Sequence, residues 1–297
     1  PGAACVWLCV ARLASPLPCR LAPRPPLLAS TAVSSPLAGL RLDVLGQAHG
    51  LLAEVLCGGD SPRLRESRGA ASKAGVPKAV SAHLEAAIKQ KGGGEQRIQL
   101  LENGLRVLRA LAPTPAEGVM DFKSADAVLH VFHEEANTRV QAAGLAYLVE
   151  AITPPVEEGM PPSDVEKVRR EVIKRQGYLV ELHLAELVVR AMQTHETTGE
   201  HYALHCAGCQ ALRFLTAGRD GAANERRHGA AEAGAIPIVL AAIKAYPKDE
   251  KKAKKEPLAH LIDHAVGTIR NITAASDELS RKAREAGARK EWVTKGK

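Results

Sequence analysis

The chain has 297 residues, of which 45% are hydrophobic and only 3% aromatic, and it carries a net charge of +7. Residues 1–42 contain four arginines and no acidic residue, so the rest of the chain is closer to neutral. It lacks the basic stripe and the stacking aromatics of a nucleic-acid-binding protein. Apolar runs with helical spacing, broken by glycine and proline and without strand alternation, predict an all-α protein.

Residues 1–42 are the first predicted segment. We expect a leader or a non-native N-terminal segment without folded structure, and the alternative for residues 3–11 is the remnant of a targeting peptide. No run reaches the length of about 20 apolar residues needed to span a membrane. Cys57, Cys206 and Cys209 fall on predicted helices and do not form a disulfide framework, which favours an intracellular, cytoplasmic location.

From residue 43 onward one short phrase recurs: KAGVP at 73–77, KRQGYLV at 174–180, EAGAIP at 232–237 and EAGA at 285–288. Glycine can adopt the left-handed conformation that ends a helix. A proline shortly after it suits the first turn of the next helix. The phrases therefore predict bends between short helices at Gly75, Pro77, Gly177, Gly234, Pro237 and Gly287.

Longer helices are predicted between these bends. Each carries a small residue four positions before a large apolar one, on the same helix face, and the large residues are Leu52, Leu108, Leu148, Leu212 and Ile269. Their unequal spacing requires insertions, which we place at 153–165, 193–200 and 248–257. At the end of the first insertion, Ser163 followed by Glu166 predicts a capping box that starts the next helix.

The segments VQAAGLAYLVEAI, CAGCQALRFLTAG, ERRHGAAEAGAIPIVLAAI and HAVGTIRNITAASDELSRKAREAGA resemble armadillo repeats. The resemblance covers residues 43–295, is most specific from 201 onward and is loosest at 113–127. It implies that residues 43–297 form a right-handed α-α superhelix, an armadillo-type solenoid of about five irregular repeats, truncated at one or both ends. HEAT-type repeats are the structural alternative.

The armadillo resemblance also implies a binding groove, lined by the third helix of each repeat. The helix positions that face away from the large apolar residues hold the candidate groove residues Arg106, Arg109, Gln210, Arg213, Phe214, Arg270 and Asn271. Because guanidinium groups bind carboxylates and phosphates, the arginines suggest an acidic or phosphorylated protein segment as ligand. Of the Trp and Asn ladder that family members use for nuclear-localisation peptides, only Asn271 is present.

A metal site is the alternative for one helix. His201, His205 and Cys209 share a helix face, as three zinc ligands would, but no fourth ligand lies in sequence range, so we expect packing roles and no metal. The sequence also contains no phosphate-binding glycine loop, paired carboxylates or nucleophile–base pair. We therefore expect no enzyme activity, no cofactor and no small-molecule substrate.

These features predict a protein–protein interaction scaffold or adaptor that holds a peptide or partner helix in its groove. The alternative is a structural subunit that contacts its neighbours in a large assembly through edges and loops. A nuclear-transport adaptor is disfavoured because the Trp ladder is missing. The lysine-rich run within 248–257 predicts a solvated loop, with a nuclear-import signal as its alternative.

Overall fold

The computed structural model describes residues 42–57, 62–90, 92–112, 122–153, 160–196, 201–246 and 257–293. All regular structure in these ranges is helical, thirteen α-helices and one 3₁₀ turn, which confirms the all-α prediction for the described residues. None of these helices combines the length and the apolar character that crossing a membrane would require. Nearly all of the leader and of the lysine-rich loop lies outside the described residues.

The described residues fall into two compact units, within Pro1–Leu111 and Ala112–Lys297. The first contains helices α1 (Leu42–Cys57), α2 (Pro62–Lys73), α3 (Val76–Lys89) and α4 (Gly94–Leu111). Here α1 packs along α4, and α3 packs against the same helix. Leu52 and Leu108 are buried in this core. The close approach depends on Gly104, where an added Cβ would lie 2.8 Å from Leu84 Cδ2.

The second unit contains nine α-helices and the 3₁₀ turn. In chain order they are α5 (Phe122–Glu134), α6 (Thr138–Ile152), α7 (Pro162–Glu181), α8 (Leu184–Thr194), α9 (Tyr202–Leu215), α10 (Ala223–Glu232), α11 (Ala235–Ala245), α12 (Pro257–Thr273), α13 (Asp277–Glu285) and the turn Lys290–Trp292. Helix α9 packs against both α6 and α12. The predicted large apolar residues of these three helices, Leu148, Leu212 and Ile269, are fully buried.

At three of the predicted bends the chain turns at a glycine with positive φ: 80° at Gly75, 91° at Gly234 and 101° at Gly287. Pro77 then lies in the first turn of α3 and Pro237 in the first turn of α11. The structure corrects the expectation for Gly177, which lies inside α7. That helix continues because Arg175, Gln176 and Leu179 are buried against neighbouring helices, and the bend falls instead at His183, with φ 57°.

The start of α7 also differs from the prediction. The helix begins at Pro162, after Pro161, and has no side-chain cap. Ser163 therefore lies within the first turn and not at the cap position. The carboxylate of Glu166 pairs with Arg169 and Arg170 instead of reaching back to the backbone. A proline at the first helical position makes a capping side chain less necessary, because its missing N–H needs no partner.

One hydrogen-bond arrangement recurs in both units. In each case a side chain near the middle of one helix, about two turns before the next bend, donates to a carbonyl at the C-terminal end of the preceding helix. The pairs are Arg68 Nε to Leu56 O (3.0 Å), Arg175 Nη1 to Ala151 O (2.8 Å), Arg226 Nε to Leu215 O (3.0 Å) and Ser280 Oγ to Thr273 O (3.1 Å). The last carbonyls of a helix have no partner within the helix, and arginine also complements the negative helix end. We call this arrangement the repeat clasp.

Candidate functional site

The predicted groove residue Arg213 lies at the contact between α9 and α12. Its guanidinium pairs with the carboxylate of Asp263 on α12 and lies 3.2 Å from His264 Nδ1. It also covers Gly267, where an added Cβ would be 2.6 Å from Arg213 Nε. The acidic partner that the sequence suggested for this arginine is thus supplied by the chain itself, and the side chain is one-third exposed.

Asn271 also contributes to the α9–α12 contact. Its Nδ2 donates to the carbonyl of Arg213 at 2.9 Å. One turn earlier on α12, the hydroxyl of Thr268 donates to the carbonyl of Cys209, also at 2.9 Å. Both donors satisfy carbonyls of α9, so a principal role of the Asn271 amide is to hold the two helices in register.

The remaining groove candidates are distributed over both units. Arg106 and Arg109, on α4 in the first unit, are exposed, and Arg106 lies 3.4 Å from Asn103 Oδ1. In the second unit Gln210 is half-buried, while Arg270 is exposed and donates weakly to the carbonyl of Glu291 at 3.4 Å. Only the candidates on α9 and α12 are brought together around one helix–helix contact.

The outward helix face is narrower than the sequence predicts. Ala53 in the first unit and Val149 in the second occupy the position that follows the large apolar residue, where an exposed side chain is expected, yet both are buried. Long helices that have neighbours on more than one side bury a wider arc than a helix packed on one face. This position is therefore exposed in some of the described helices, as at Arg109 and Arg270, and buried in others.

Phe214, the half-buried aromatic among the candidates, lines an open cavity of about 430 Å³ in the second unit. The cavity lies between α7, the C-terminal end of α6 and the loop that joins α9 to α10. Its apolar wall includes Ile152, Met160, Val165, Val168, Val172 and Phe214. Its polar residues are Arg169, Gln176, Arg219 and Asp220. We refer to it as the Phe214 cavity.

The loop on one side of the Phe214 cavity is fixed by two arginines of α10. Arg226 binds both carboxylate oxygens of Asp220, at 2.8 and 2.7 Å, and donates to the carbonyl of Ala217. Arg227 donates to the carbonyls of Thr216 and Gly218. On the opposite side, Gln176 Nε2 donates to the carbonyl of Phe214 at 2.6 Å, which fastens α7 to the end of α9. The cavity is therefore bounded by structure that is held in place without a ligand.

The rim of the Phe214 cavity is electropositive. Arg226 holds the pKa of Asp220 below its ordinary value by hydrogen bonding and charge, so this carboxylate is already neutralised. Arg169 is paired only loosely with Glu166, at 3.7 Å. Arg219 is exposed and has no hydrogen bond or ion pair with any residue in the described ranges.

The three weak metal candidates do not converge on one point. His205 is buried and its Nε2 lies 3.2 Å from the carbonyl of His195, while His201 Nδ1 lies 3.2 Å from the hydroxyl of Thr138. Cys209 is fully buried, and burial raises the pKa of its thiol. Within the part of the chain that the structure describes, no group of three or more His, Cys, Asp and Glu side chains has metal-binding geometry.

The sequence interpretation missed the wall that α7 contributes to the Phe214 cavity. Val165, Val168 and Val172 follow at intervals of three and four residues, which places them on one helix face. This spacing is visible in the sequence and predicts an apolar stripe on a helix that is otherwise strongly charged. The apolar stripe could therefore have been found from the sequence. That part of it stays exposed to solvent is known only from the fold.

The Phe214 cavity can bury apolar groups of a ligand next to the positively charged arginines of its rim. Among the described residues that line the cavity, the groups that can form hydrogen bonds or ion pairs are Arg169, Gln176, Arg219 and Asp220. No protein-family model matches the chain, and no curated protein is significantly similar to it.

Proposed function

We propose that the protein is an armadillo-type scaffold that binds other proteins through the Phe214 cavity and has no catalytic activity or cofactor of its own. The repeat clasp supports the armadillo part of the proposal. The same kind of contact links successive helices at four places, and a residue with positive φ follows each of them, which is typical of a chain built from one repeated unit.

The observation that carries the binding role is the Phe214 cavity itself. An open apolar concavity with a few fixed polar groups on its rim is typical of a recognition site. Val165, which lines it, is 50% exposed and is among the most exposed large apolar side chains in the described ranges. Apolar patches rimmed by polar residues mark interaction sites more often than scattered exposed residues do.

The proposed binding site differs from the one that the sequence predicts, because it lies in the Phe214 cavity and not at Arg213 and Asn271. Arg213 and Asn271 already hold α9 against α12, so substituting them would combine loss of binding with loss of fold. The second candidate function remains a structural subunit that contacts its neighbours by edges and loops. It would engage surfaces away from the cavity.

Site-specific photo-crosslinking in native lysate tests the proposal. We would place benzoylphenylalanine at position 165 in the cavity, and at position 180 as the control, since Val180 is also exposed on α7 but does not line the cavity. We expect discrete cross-linked partner proteins at position 165 only, with a yield that Phe214→Ala reduces. Equal cross-linking at both positions, or none at position 165, would contradict binding through the cavity.

A further inference from the structure

We infer that the Phe214 cavity receives an amphipathic α-helix of a partner protein, with aliphatic side chains against α7 and a carboxylate against Arg219. This inference rests on the proposed function and specifies the chemistry of the ligand. Three features of the site lead to it: the shape of the apolar wall, the charge of the rim and the rigidity of the loop.

The shape of the wall matches a helix. The cavity residues contributed by α7 extend from Val165 to Gln176, about three turns along the helix axis. A partner helix laid along this stretch would present one apolar side chain per turn, at positions i, i+3 or i+4, and i+7. Phe214 and Ile152 line the cavity from the side of α9 and α6, where an aliphatic side chain of the partner can be enclosed between them and Val168.

The charge of the rim selects an acidic partner. Arg219 has no partner among the described residues, and Arg227 is bonded only to carbonyl and amide oxygens. The carboxylate that lines the cavity, Asp220, is bound by Arg226, and Glu166 on α7 is paired with Arg169 and Arg170. A carboxylate brought by the ligand would therefore find an uncompensated guanidinium, which favours an acidic segment and disfavours a basic one.

The loop that carries Arg219 is prepared for binding. Arg226 and Arg227 bond to the carbonyls of the four residues before Arg219, and Arg226 also binds the carboxylate of Asp220 after it, so the backbone at Arg219 is restricted before a ligand arrives. Restriction before binding lowers the entropy cost of association. The same loop also bounds one side of the apolar wall. One rigid loop therefore positions both the apolar surface and the arginine that would contact the ligand.

Display selection on the folded full chain tests this inference. The probe is a library of randomised 18-residue peptides, and the strongest binder is then measured by fluorescence anisotropy and circular dichroism. We expect enriched peptides with aliphatic residues at i, i+3 or i+4, and i+7 and with Asp or Glu beside them, and we expect helicity to rise on binding. Enriched peptides that bind in an extended or proline-rich form would contradict the helical ligand. Enriched basic peptides would contradict the acidic ligand.

Variants locate the bound peptide. Val165→Asp should weaken binding about tenfold or more, because it places a charge against apolar side chains, whereas Val180→Asp, on the same helix outside the cavity, should not. Arg219→Glu should weaken the acidic peptide about three- to tenfold and favour its Lys-substituted version, with Arg190→Glu as the exposed charge control. Thermal unfolding of every variant confirms that it is folded.

The outcomes separate the inference from the proposed function. Peptides that depend on Val165 but are neither helical nor acidic would overturn the inference and leave a protein-binding cavity. Peptides whose affinity is unchanged by Val165→Asp would overturn both the helix inference and the proposed binding through the Phe214 cavity. Dodecanoate is the probe for a small amphiphilic carboxylate: if it binds with one-to-one stoichiometry and no cavity-dependent peptide is enriched, the cavity binds a small molecule and the helix inference is wrong.

Discussion

Arg226 makes the most complete of the repeat clasps. Its guanidinium donates to the carbonyls of Leu215 and Ala217 and binds both oxygens of Asp220. The arginine side chain is 2% exposed and that of Asp220 is 12% exposed. This one side chain therefore satisfies the end of α9, holds the loop that bounds the Phe214 cavity and neutralises a largely buried carboxylate.

Replacing Arg226 with methionine should destabilise the second unit by about 3 kcal/mol. Methionine keeps much of the aliphatic stem, so the loss measures the polar contacts. Removing one partner of a buried ion pair typically costs about 3–5 kcal/mol, because the other charge remains without compensation. We take the lower end of that range because Asp220 retains some exposure.

The assay combines urea unfolding, followed by circular dichroism, with hydrogen exchange of residues 215–226. The control is Arg170→Met, whose side chain is 77% exposed in an i, i+4 pair with Glu166 and should cost less than about 0.5 kcal/mol. Adding Asp220→Asn to Arg226→Met should recover about 1 kcal/mol or more, because the unpaired carboxylate is removed. Equal losses for Arg226→Met and Arg170→Met would refute the reasoning.

The pair should also respond to pH in a defined direction. The folded pKa of Asp220 is lowered, chiefly by its hydrogen bonds to Arg226. Its contribution is therefore complete above the unfolded pKa of about 3.9 and is lost as the pH falls through the folded value. The stability difference between the wild type and Arg226→Met should shrink in that acidic range. A difference that stays constant down to pH 2 would contradict the assignment.

Two further predictions concern helix continuity and buried histidine. Gly177→Ala should stabilise the protein by up to about 1 kcal/mol in urea unfolding, because α7 is continuous there and no atom lies within 4 Å of the added Cβ. The contrasting variant Gly234→Ala should lower the free energy of unfolding by about 1–2 kcal/mol, because the φ of Gly234 is 91°. If Gly177→Ala lowered it by as much, α7 would have to bend at Gly177. Burial and the neighbouring His83 lower the pKa of His49 to about 4 in the folded protein. The folded state is therefore not penalised above the unfolded pKa of about 6.5, and it loses free energy of unfolding as the pH falls below that value. The expected loss at pH 5 is about 2 kcal/mol. Hydrogen exchange of α1 and α4 should show this loss at pH 5 against pH 7. His49→Gln should reduce the loss but not abolish it, because burial also lowers the pKa of His83, and the exposed control His130→Gln should leave it unchanged.

The local signals in the sequence predicted local geometry well. A glycine followed by proline or an apolar residue needs no distant contact to take positive φ, and Gly75, Gly234 and Gly287 do so. Large apolar residues four positions after a small one are buried because that spacing defines one helix face, as at Leu212 and Ile269. Both signals act within a few residues, where backbone sterics and helix periodicity dominate.

Gly177 shows where such signals fail. A glycine inside a helix costs about 1 kcal/mol relative to alanine, which tertiary packing can offset. The buried side chains of Arg175, Gln176 and Leu179 do so, and the bend then falls at His183, where neither glycine nor proline marks a helix end. Ser163 fails for a different, local reason: the two prolines before it start the helix without a capping side chain.

By itself, the sequence determined that the described residues are helical, where most of the bends lie and that the large apolar residue of each small–large pair is buried, because each of these depends on periodicity or on the backbone freedom of one residue. The tertiary structure decided which polar groups remain available. Arg213 is paired with Asp263, fifty positions away in the chain, whereas Arg219 has no partner in the described ranges. The apolar stripe of α7 is likewise written in the sequence, but its exposure beside Phe214 depends on how α6, α7 and α9 meet. Periodicity along one helix shows which residues share a face, but how helices pack decides which side chains pair and which apolar stripe stays exposed.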